Sequence, residues 1–305
     1  MNILELHHVY KRFGDTEVIK DLCFAVPEHS VFGFIGKNGA GKTTTMKMIL
    51  GFIKPDAGEL RVCSEKVIYG NTKTNRHIGY LPDVPEFYGY MTPKEYLKLC
   101  AEITGLKADV TKERSNELLN LVGLEGVNRR IQGFSRGMKQ RLGIAQALLN
   151  EPKLLICDEP TSALDPVGRK EILDILALAK ERTTIVFSTH ILSDVERVCD
   201  RIGILNNGTL RMEGTVDEIK EHYRTDTLRV ELLHGSMLPK VAEDMKKLPF
   251  IQSISITENK IDIILSKVQE QGIQVMSYLV EEKVPVLRYE ILEPSLENVF
   301  MEVIS

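Results

Sequence analysis

The sequence predicts an α/β fold in two domains: a helix-covered parallel sheet with an antiparallel β edge and an α-helical insert, then a small α+β domain. Three observations predict it. A glycine-rich loop at residues 36–43 separates a short apolar run from a helical pattern. Strand and helix patterns alternate from residue 154 to residue 206, as in a parallel sheet. From residue 227 the order is β-α-β-β-α-β, which is typical of a ferredoxin-like domain.

Length and composition set the domain count and exclude some functions. The 305 residues exceed what one hydrophobic core comfortably serves, and the pattern changes near residue 222, so we expect domains at 1–222 and 223–305. A net charge of −4 gives no reason to propose nucleic acid as a partner. No stretch approaches eighteen apolar residues, so any role in transport is expected to need a separate membrane chain.

The antiparallel edge is predicted by residues 2–9 and 18–26, which alternate as strands on either side of a turn near Gly14. His7 and His8 are adjacent in the first strand and should point to opposite faces. We therefore expect them to be ordinary surface residues that do not share a metal.

The glycine-rich loop carries the first chemical signal. Gly36-Lys37-Asn38-Gly39-Ala40-Gly41-Lys42-Thr43 fits the pattern G-x-x-x-x-G-K-[ST] between a strand and a helix, which is a phosphate-binding P-loop. Glycines let the backbone N–H groups approach a polyphosphate closely. We expect Lys42 to reach the β- and γ-phosphates and the Thr43 hydroxyl to bind Mg²⁺. The expected nucleotide-binding set is Gly36, Asn38, Gly39, Ala40, Gly41, Lys42, Thr43 and Thr44.

An all-helical insert is predicted at about residues 90–150. Thr92-Pro93-Lys94-Glu95 combines a capping box with proline at the first helical position. Helical spacing follows at residues 93–104, 111–122 and about 137–149.

A second part of the phosphate site is predicted after the insert. The apolar run 154–157 ends in Asp158 and Glu159. We expect this strand to lie next to the P-loop strand, where Asp158 can hold Mg²⁺ and Glu159 can act as general base on a water that attacks the γ-phosphate. His190, at the end of another strand, can donate to a γ-phosphate oxygen. A helix-capping acid pair and a structural histidine are the alternatives.

The stretch Phe134-Ser135-Arg136-Gly137-Met138-Lys139-Gln140-Arg141 resembles the signature of ABC transporter ATP-binding subunits, and the resemblance covers residues 1 to about 220. It implies a P-loop NTPase (ABC ATPase) that uses ATP and Mg²⁺. The segment 162–165 resembles the D-loop, which places Asp165 at the nucleotide, and His190 resembles the switch histidine. Phe13 resembles the aromatic residue that stacks on adenine.

The same resemblance implies a partner arrangement. In the family, two subunits form a head-to-tail dimer with ATP between the Lys42 side of one and the Ser135–Gly137 side of the other, and a separate integral-membrane permease holds them at the cytoplasmic face of the membrane. The pair is a homodimer or includes a homologous ATPase subunit. Ser135 followed by a helix also reads as a simple N-cap.

Two departures from the family pattern qualify the resemblance. Arginine and methionine flank Gly137 where the common signature reads L-S-G-G-Q, a form that, with the closing P-S-L-E-x-V-F at 294–300, resembles exporters of peptide antibiotics, drugs and lipids. Asp83 stands where the family usually has glutamine, and we expect its carboxylate to serve as a Mg²⁺ ligand, directly or through water.

Two other functions are alternatives to a transporter ATPase. A soluble ABC-type ATPase of translation or DNA repair would carry two cassettes or a long coiled coil, and this sequence has neither. An unrelated P-loop kinase or GTPase would leave the Ser135 stretch and His190 unexplained.

Overall fold

The computed structural model describes residues 1–71, 73–223, 226–292 and 295–304, so Pro294 of the closing motif lies outside the described residues. Two compact units are present: residues 1–216 with the chain from Phe300 onward, and residues 217–299. The division lies upstream of the expected boundary at 222/223, because the helix that spans Val216–His222 groups with the second unit.

The first unit contains an antiparallel sheet of four strands in the order β2-β1-β4-β5. The predicted β edge is therefore a sheet of its own. Its inward side chains pack on the P-loop strand, since Phe24 stacks on Phe32 and Phe34 with ring centroids 5.3 and 5.4 Å apart. The strands are β1 (Asn2–Phe13), β2 (Thr16–Pro27), β4 (Ala57–Val62) and β5 (Glu65–Lys66).

A second sheet of six strands has the order β10-β9-β3-β8-β7-β6 and is parallel except for β10. The expectation that the Asp158 strand adjoins the P-loop strand is wrong, because β8 lies between β3 and β7. Sequence patterns identify buried strands but carry no record of their order. The strands are β3 (Val31–Ile35), β6 (Ile78–Leu81), β7 (Leu154–Asp158), β8 (Thr184–Thr189), β9 (Arg201–Asn206) and β10 (Thr209–Thr215).

Helices surround these sheets, and three of them form the region of the predicted insert. Thr92 caps the first helix of the insert, where its hydroxyl accepts a hydrogen bond from the backbone N–H of Glu95. The Glu95 carboxylate in turn accepts a hydrogen bond from the backbone N–H of Thr92. The capping box read from the sequence is therefore present. The helices of this unit are α1 (Lys42–Ile49), α2 (Pro93–Thr104), α3 (Ala108–Leu121), α4 (Arg136–Leu148), α5 (Pro166–Ala179) and α6 (Leu192–Val198). The next helix, α7 (Val216–His222), groups with the second unit.

The second unit has an antiparallel sheet in the order β12-β13-β11-β14, the strand order of a ferredoxin-like fold. Alternation in β13 buries Ile261, Ile263 and Leu265, whereas Ile256 on the edge strand β12 is 47% exposed. The elements are β11 (Thr227–Leu232), α8 (Leu238–Met245), β12 (Ile251–Thr257), β13 (Lys260–Leu265), α9 (Val268–Glu281) and β14 (Val286–Leu292). The last helix, α10 (Leu296–Ile304), begins in this unit, and its residues from Phe300 onward are assigned to the first unit.

Within the residues described, no helix is both long enough and apolar enough to cross a bilayer.

Candidate active site

The loop between β3 and α1 has a backbone that only glycines adopt easily. Gly39 and Gly41 have φ angles of 83° and 112°, in the left-handed region that side chains disfavour. At Gly36, a Cβ atom would lie 2.6 Å from the carbonyl oxygen of Leu205, so no side chain fits. The loop therefore keeps its backbone close to β9 and free of side chains where a phosphate would bind.

Lys42 is the first residue of α1 and is 6% exposed. Its ammonium group donates to the carbonyl oxygen of Gly36 at 2.6 Å and lies 3.3 Å from Glu159 Oε1. Because a buried charge needs partners, these oxygens hold the lysine inside the loop. A phosphate oxygen bound there would compete for the same ammonium group.

Asp158, at the end of β7, is 4% exposed and accepts two hydrogen bonds through Oδ1. The Ser188 hydroxyl donates at 2.6 Å, and the Thr43 hydroxyl donates at 3.2 Å. Ser188 was not singled out by the sequence analysis. It lies opposite Asp158 because β7 and β8 pair in that register, which no sequence pattern reveals.

The convergence of Thr43 and Asp158 fits a magnesium ion. Hydroxyl and carboxylate oxygens are the hard ligands that Mg²⁺ prefers, and water supplies the remaining positions in most such sites. Thr43 is adjacent to Lys42, so an ion held there would also meet phosphates bound by the loop. When bound, Mg²⁺ would neutralise phosphate charge.

Glu159 is oriented by its backbone and by a histidine. Its φ angle is 48°, and its N–H donates to Ser188 at both the carbonyl oxygen (3.2 Å) and the hydroxyl oxygen (3.0 Å). The carboxylate Oε2 lies 2.9 Å from His190 Nδ1 and the side chain is 14% exposed. Glu159 therefore sits between Lys42 and His190, with its carboxylate at the site where a phosphate would bind.

One cavity of about 550 Å³ brings most of the expected residues together. Gly36, Ala40, Ser135, Gly137 and Asp165 are not among the residues that line it. Val18 and Ser162 line it without having been expected. The lining is Phe13, Val18, Asn38, Gly39, Gly41, Lys42, Thr43, Thr44, Asp83, Asp158, Glu159, Ser162 and His190.

Comparison with known proteins decides the family. A family model described as ABC transporter matches residues 19–162, and one described as ATP-binding protein DrrA1-3-like, C-terminal domain, matches residues 214–304. The uncharacterized ABC transporter ATP-binding protein YxlF of Bacillus subtilis is 36% identical over 99% of both chains. The chain belongs to the ATP-binding subunits of ABC transporters.

Further comparisons agree with this assignment. The bacitracin transport ATP-binding protein BcrA of Bacillus licheniformis is 37% identical over 99% of this chain and 97% of its own. A solved structure of an ATP-binding subunit of an ABC transporter has a TM-score of 0.65 at 35% identity and covers 72% of this chain and 93% of its own. The P-loop NTPase fold is thus confirmed, and this ABC subunit is an ATPase of a family that hydrolyses ATP to drive transport.

Asp83 of the ABC subunit lines the cavity, but its carboxylate is already paired. Arg136 Nη2, at the start of α4, donates to Asp83 Oδ1 at 3.1 Å. Gln140, one turn later, donates to the backbone carbonyl of Asp83 at 2.6 Å. To serve as the expected metal ligand, the Asp83 carboxylate would therefore have to give up its ion pair with Arg136 of α4.

Ser135 and Asp165 both act as N-caps in this structure. The Ser135 hydroxyl accepts from the N–H of Met138 at 3.3 Å, and Asp165 Oδ1 accepts from the N–H of Gly168 at 2.9 Å. Ser135 is exposed, and neither it nor Gly137 lines the cavity. The start of α4 therefore faces solvent rather than the phosphate loop of its own chain.

Proposed function

We propose that this chain is the ATP-hydrolysing motor of an exporter, at the cytoplasmic face of the membrane, coupled to a separate integral-membrane permease. The cargo class we propose is a peptide antibiotic, drug or lipid. Support comes from the likeness to BcrA, a bacitracin transport protein, along nearly the whole chain. Further support is the match of residues 214–304 to a C-terminal domain model. We interpret that region as an accessory domain that follows the ATPase domain.

Six side chains in the cavity have a proposed role in hydrolysis of ATP. Lys42 neutralises phosphate charge, and Phe13 stacks on the adenine ring. Glu159 removes a proton from the attacking water, since its carboxylate is directed into the cavity and partly shielded from solvent. His190, paired with Glu159, donates to the γ-phosphate. Thr43 and Asp158 hold Mg²⁺.

The observation that carries the dimer proposal is that Ser135 and Gly137, at the start of α4, do not line the cavity of their own chain. The exposed start of α4 at Ser135 and Gly137 offers N–H groups and a positive helix end, which favour a phosphate. These groups do not reach the cavity of their own chain. We propose that a second copy, or a homologous ATPase subunit, supplies them over the γ-phosphate.

A complementation experiment tests the shared site. Lys42→Ala damages the loop side, and Ser135→Arg blocks the opposite side. Each variant alone should hydrolyse almost no ATP. Mixing the two should restore activity, because mixed dimers have one intact site. In a symmetric dimer with random pairing the recovery is at most about a quarter of the parent activity.

The control mixes Lys42→Ala with Glu159→Gln, two defects on the same side of the site. Every mixed dimer then has two damaged sites, and activity should stay at the sum of the separate variants. A Lys42→Ala and Ser135→Arg mixture that recovers nothing argues against the head-to-tail arrangement. Detergent extraction of the native complex, followed by identification of the co-purifying membrane protein, tests the permease partnership; recovery with ribosomes would oppose it.

A further inference from the structure

Two of the register shifts in the hairpin of β1 and β2 lie on either side of one residue pair. Val9 pairs with Leu22, and the register shifts by one residue before this pair in β1 and by one residue after it in β2. His8 and Asp21 accommodate the extra residues with φ angles of 48° and 50°. A left-handed backbone is uncommon for residues other than glycine, and such bulges re-aim side chains.

The bulges bring three different ligand types together. His8 Nδ1 lies 2.7 Å from Asp21 Oδ1, and the backbone N–H of His8 donates to Cys23 Sγ at 3.0 Å. The imidazole nitrogen, carboxylate oxygen and thiol sulfur all lie within 4.8 Å of one another. Across the ranges 1–71, 73–223, 226–292 and 295–304, this is the one group of three such side chains that comes so close.

We propose that His8, Asp21 and Cys23 form a binding site for a borderline divalent cation, with Zn²⁺ as the best match. Zinc accepts nitrogen, oxygen and thiolate ligands at about 2.0–2.3 Å, which separates tetrahedral ligand atoms by about 3.3–3.8 Å. The His8 and Asp21 side chains are exposed, and rotation about their side-chain bonds would be needed to bring the ligand atoms to that spacing. A water completes the tetrahedron on the solvent side.

The ligand set distinguishes this site from the ATP site. A thiolate selects zinc over magnesium, which prefers oxygen ligands alone. None of the three side chains lines the cavity that contains the P-loop. Zinc binding is therefore separable from Mg²⁺-dependent ATP binding, and it would tie β1 to β2 five residues before Phe13 on the same strand. This site does not depend on the proposed export function.

The test titrates Zn²⁺ alone into the full-length chain without nucleotide, by calorimetry and by competition with a chromogenic chelator. We expect one equivalent to bind. Cys23→Ser and His8→Ala should each weaken binding by at least about tenfold, the scale for disturbed metal sites. The matched controls, Cys63→Ser and His7→Ala, change the same residue types nearby and should bind Zn²⁺ as the parent does.

Two further measurements test whether the Cys23 sulfur binds the metal. Co²⁺ bound to the parent should show a thiolate charge-transfer band that Cys23→Ser abolishes, and Zn²⁺ should slow alkylation of Cys23 in the parent protein, which requires no variant. Zinc affinity that is equal in the parent, Cys23→Ser and His8→Ala would overturn the proposal. Cys23 alkylation unaffected by saturating Zn²⁺ would overturn it as well.

Discussion

Arg136 at the start of α4 donates at 3.1 Å to the carboxylate of Asp83, which lines the cavity that contains the P-loop. The pair joins two of the positions at which this chain departs from the usual family pattern. Gln140 adds a hydrogen bond to the Asp83 backbone, so α4 holds this loop at two points. Because Ser135 caps the same helix, the Asp83 loop is bonded to the element that presents the surface proposed to meet a second subunit.

The first prediction concerns this pair. Asp83→Asn, Arg136→Ala and the double variant form a cycle whose coupling free energy of unfolding should be about 0.2–1 kcal/mol, the range of exposed ion pairs. Arg136→Ala should also make ATP affinity more dependent on Mg²⁺, since the freed carboxylate can approach the metal. The double variant should then behave as Asp83→Asn. Urea unfolding measures the coupling free energy, and ATP titrations with and without Mg²⁺ measure the metal dependence of ATP affinity. A coupling free energy of zero would show that the ion pair does not contribute to stability.

The second prediction is that Glu159→Gln binds ATP but hydrolyses it about 10²–10⁴-fold more slowly, the usual loss of a general base. The amide keeps the shape of the side chain and cannot accept the proton. With hydrolysis blocked, ATP should shift the protein toward dimer in size-exclusion chromatography. Glu181→Gln, an exposed glutamate, is the control and should hydrolyse normally. A variant that stays monomeric with ATP across a wide concentration range would count against the dimer.

The third prediction assigns a positioning role to Ser188. A hydrogen bond to a charged group is worth about 1.5–3 kcal/mol. Ser188→Ala should therefore lower kcat by about ten- to a hundredfold, since 1.36 kcal/mol is tenfold in rate, with little change in KM. Ser188→Thr keeps the hydroxyl and should recover much of the loss. Ser30→Ala removes a buried hydroxyl that bonds Pro27 instead, and it should leave kcat unchanged. An equal loss in both alanine variants would indicate a general effect of cavity formation.

The fourth prediction concerns Phe13, which is 48% exposed at the edge of the cavity. If its ring stacks on adenine, Phe13→Ala should weaken ATP binding by about 1 kcal/mol, the scale of an aromatic contact. Phe13→Tyr should retain affinity, and GTP should be accepted with modest loss. Phe52→Ala, a similarly exposed phenylalanine outside the cavity, is the control. ATP affinity that does not change in Phe13→Ala would contradict stacking.

The fifth prediction concerns pH. Burial raises the pKa of Glu213 more than the neighbouring Arg201 lowers it. A raised pKa in the folded state means that this group's contribution to stability is full below its unfolded pKa of about 4.3 and is lost as the pH rises through the folded value. Glu213→Gln should therefore gain stability relative to the parent as the pH rises above the unfolded pKa. Urea unfolding at a series of pH values measures this difference in stability, with Glu125→Gln, at an exposed glutamate, as the reference. A stability difference that falls as the pH rises would contradict the prediction.

The sequence by itself determined the local chemistry. The P-loop could be read because glycines, lysine and threonine occupy fixed neighbouring positions, and the α2 capping box because it lies within four residues. The acids at the end of β7 and the histidine after β8 were found for the same reason: each follows a recognisable apolar run. Spacing also gave the ferredoxin-like order of the second unit.

Only the tertiary structure decided which distant residues meet. The insertion of β8 between β3 and β7, the placement of Ser188 beside Asp158 and the pairing of Asp83 with Arg136 all depend on strand order and register. These are set by packing between segments far apart in the chain, and hydrophobic periodicity records only which face of a segment is buried. The cluster of His8, Asp21 and Cys23 arose in the same way, because two bulges turned side chains that regular alternation would have kept apart.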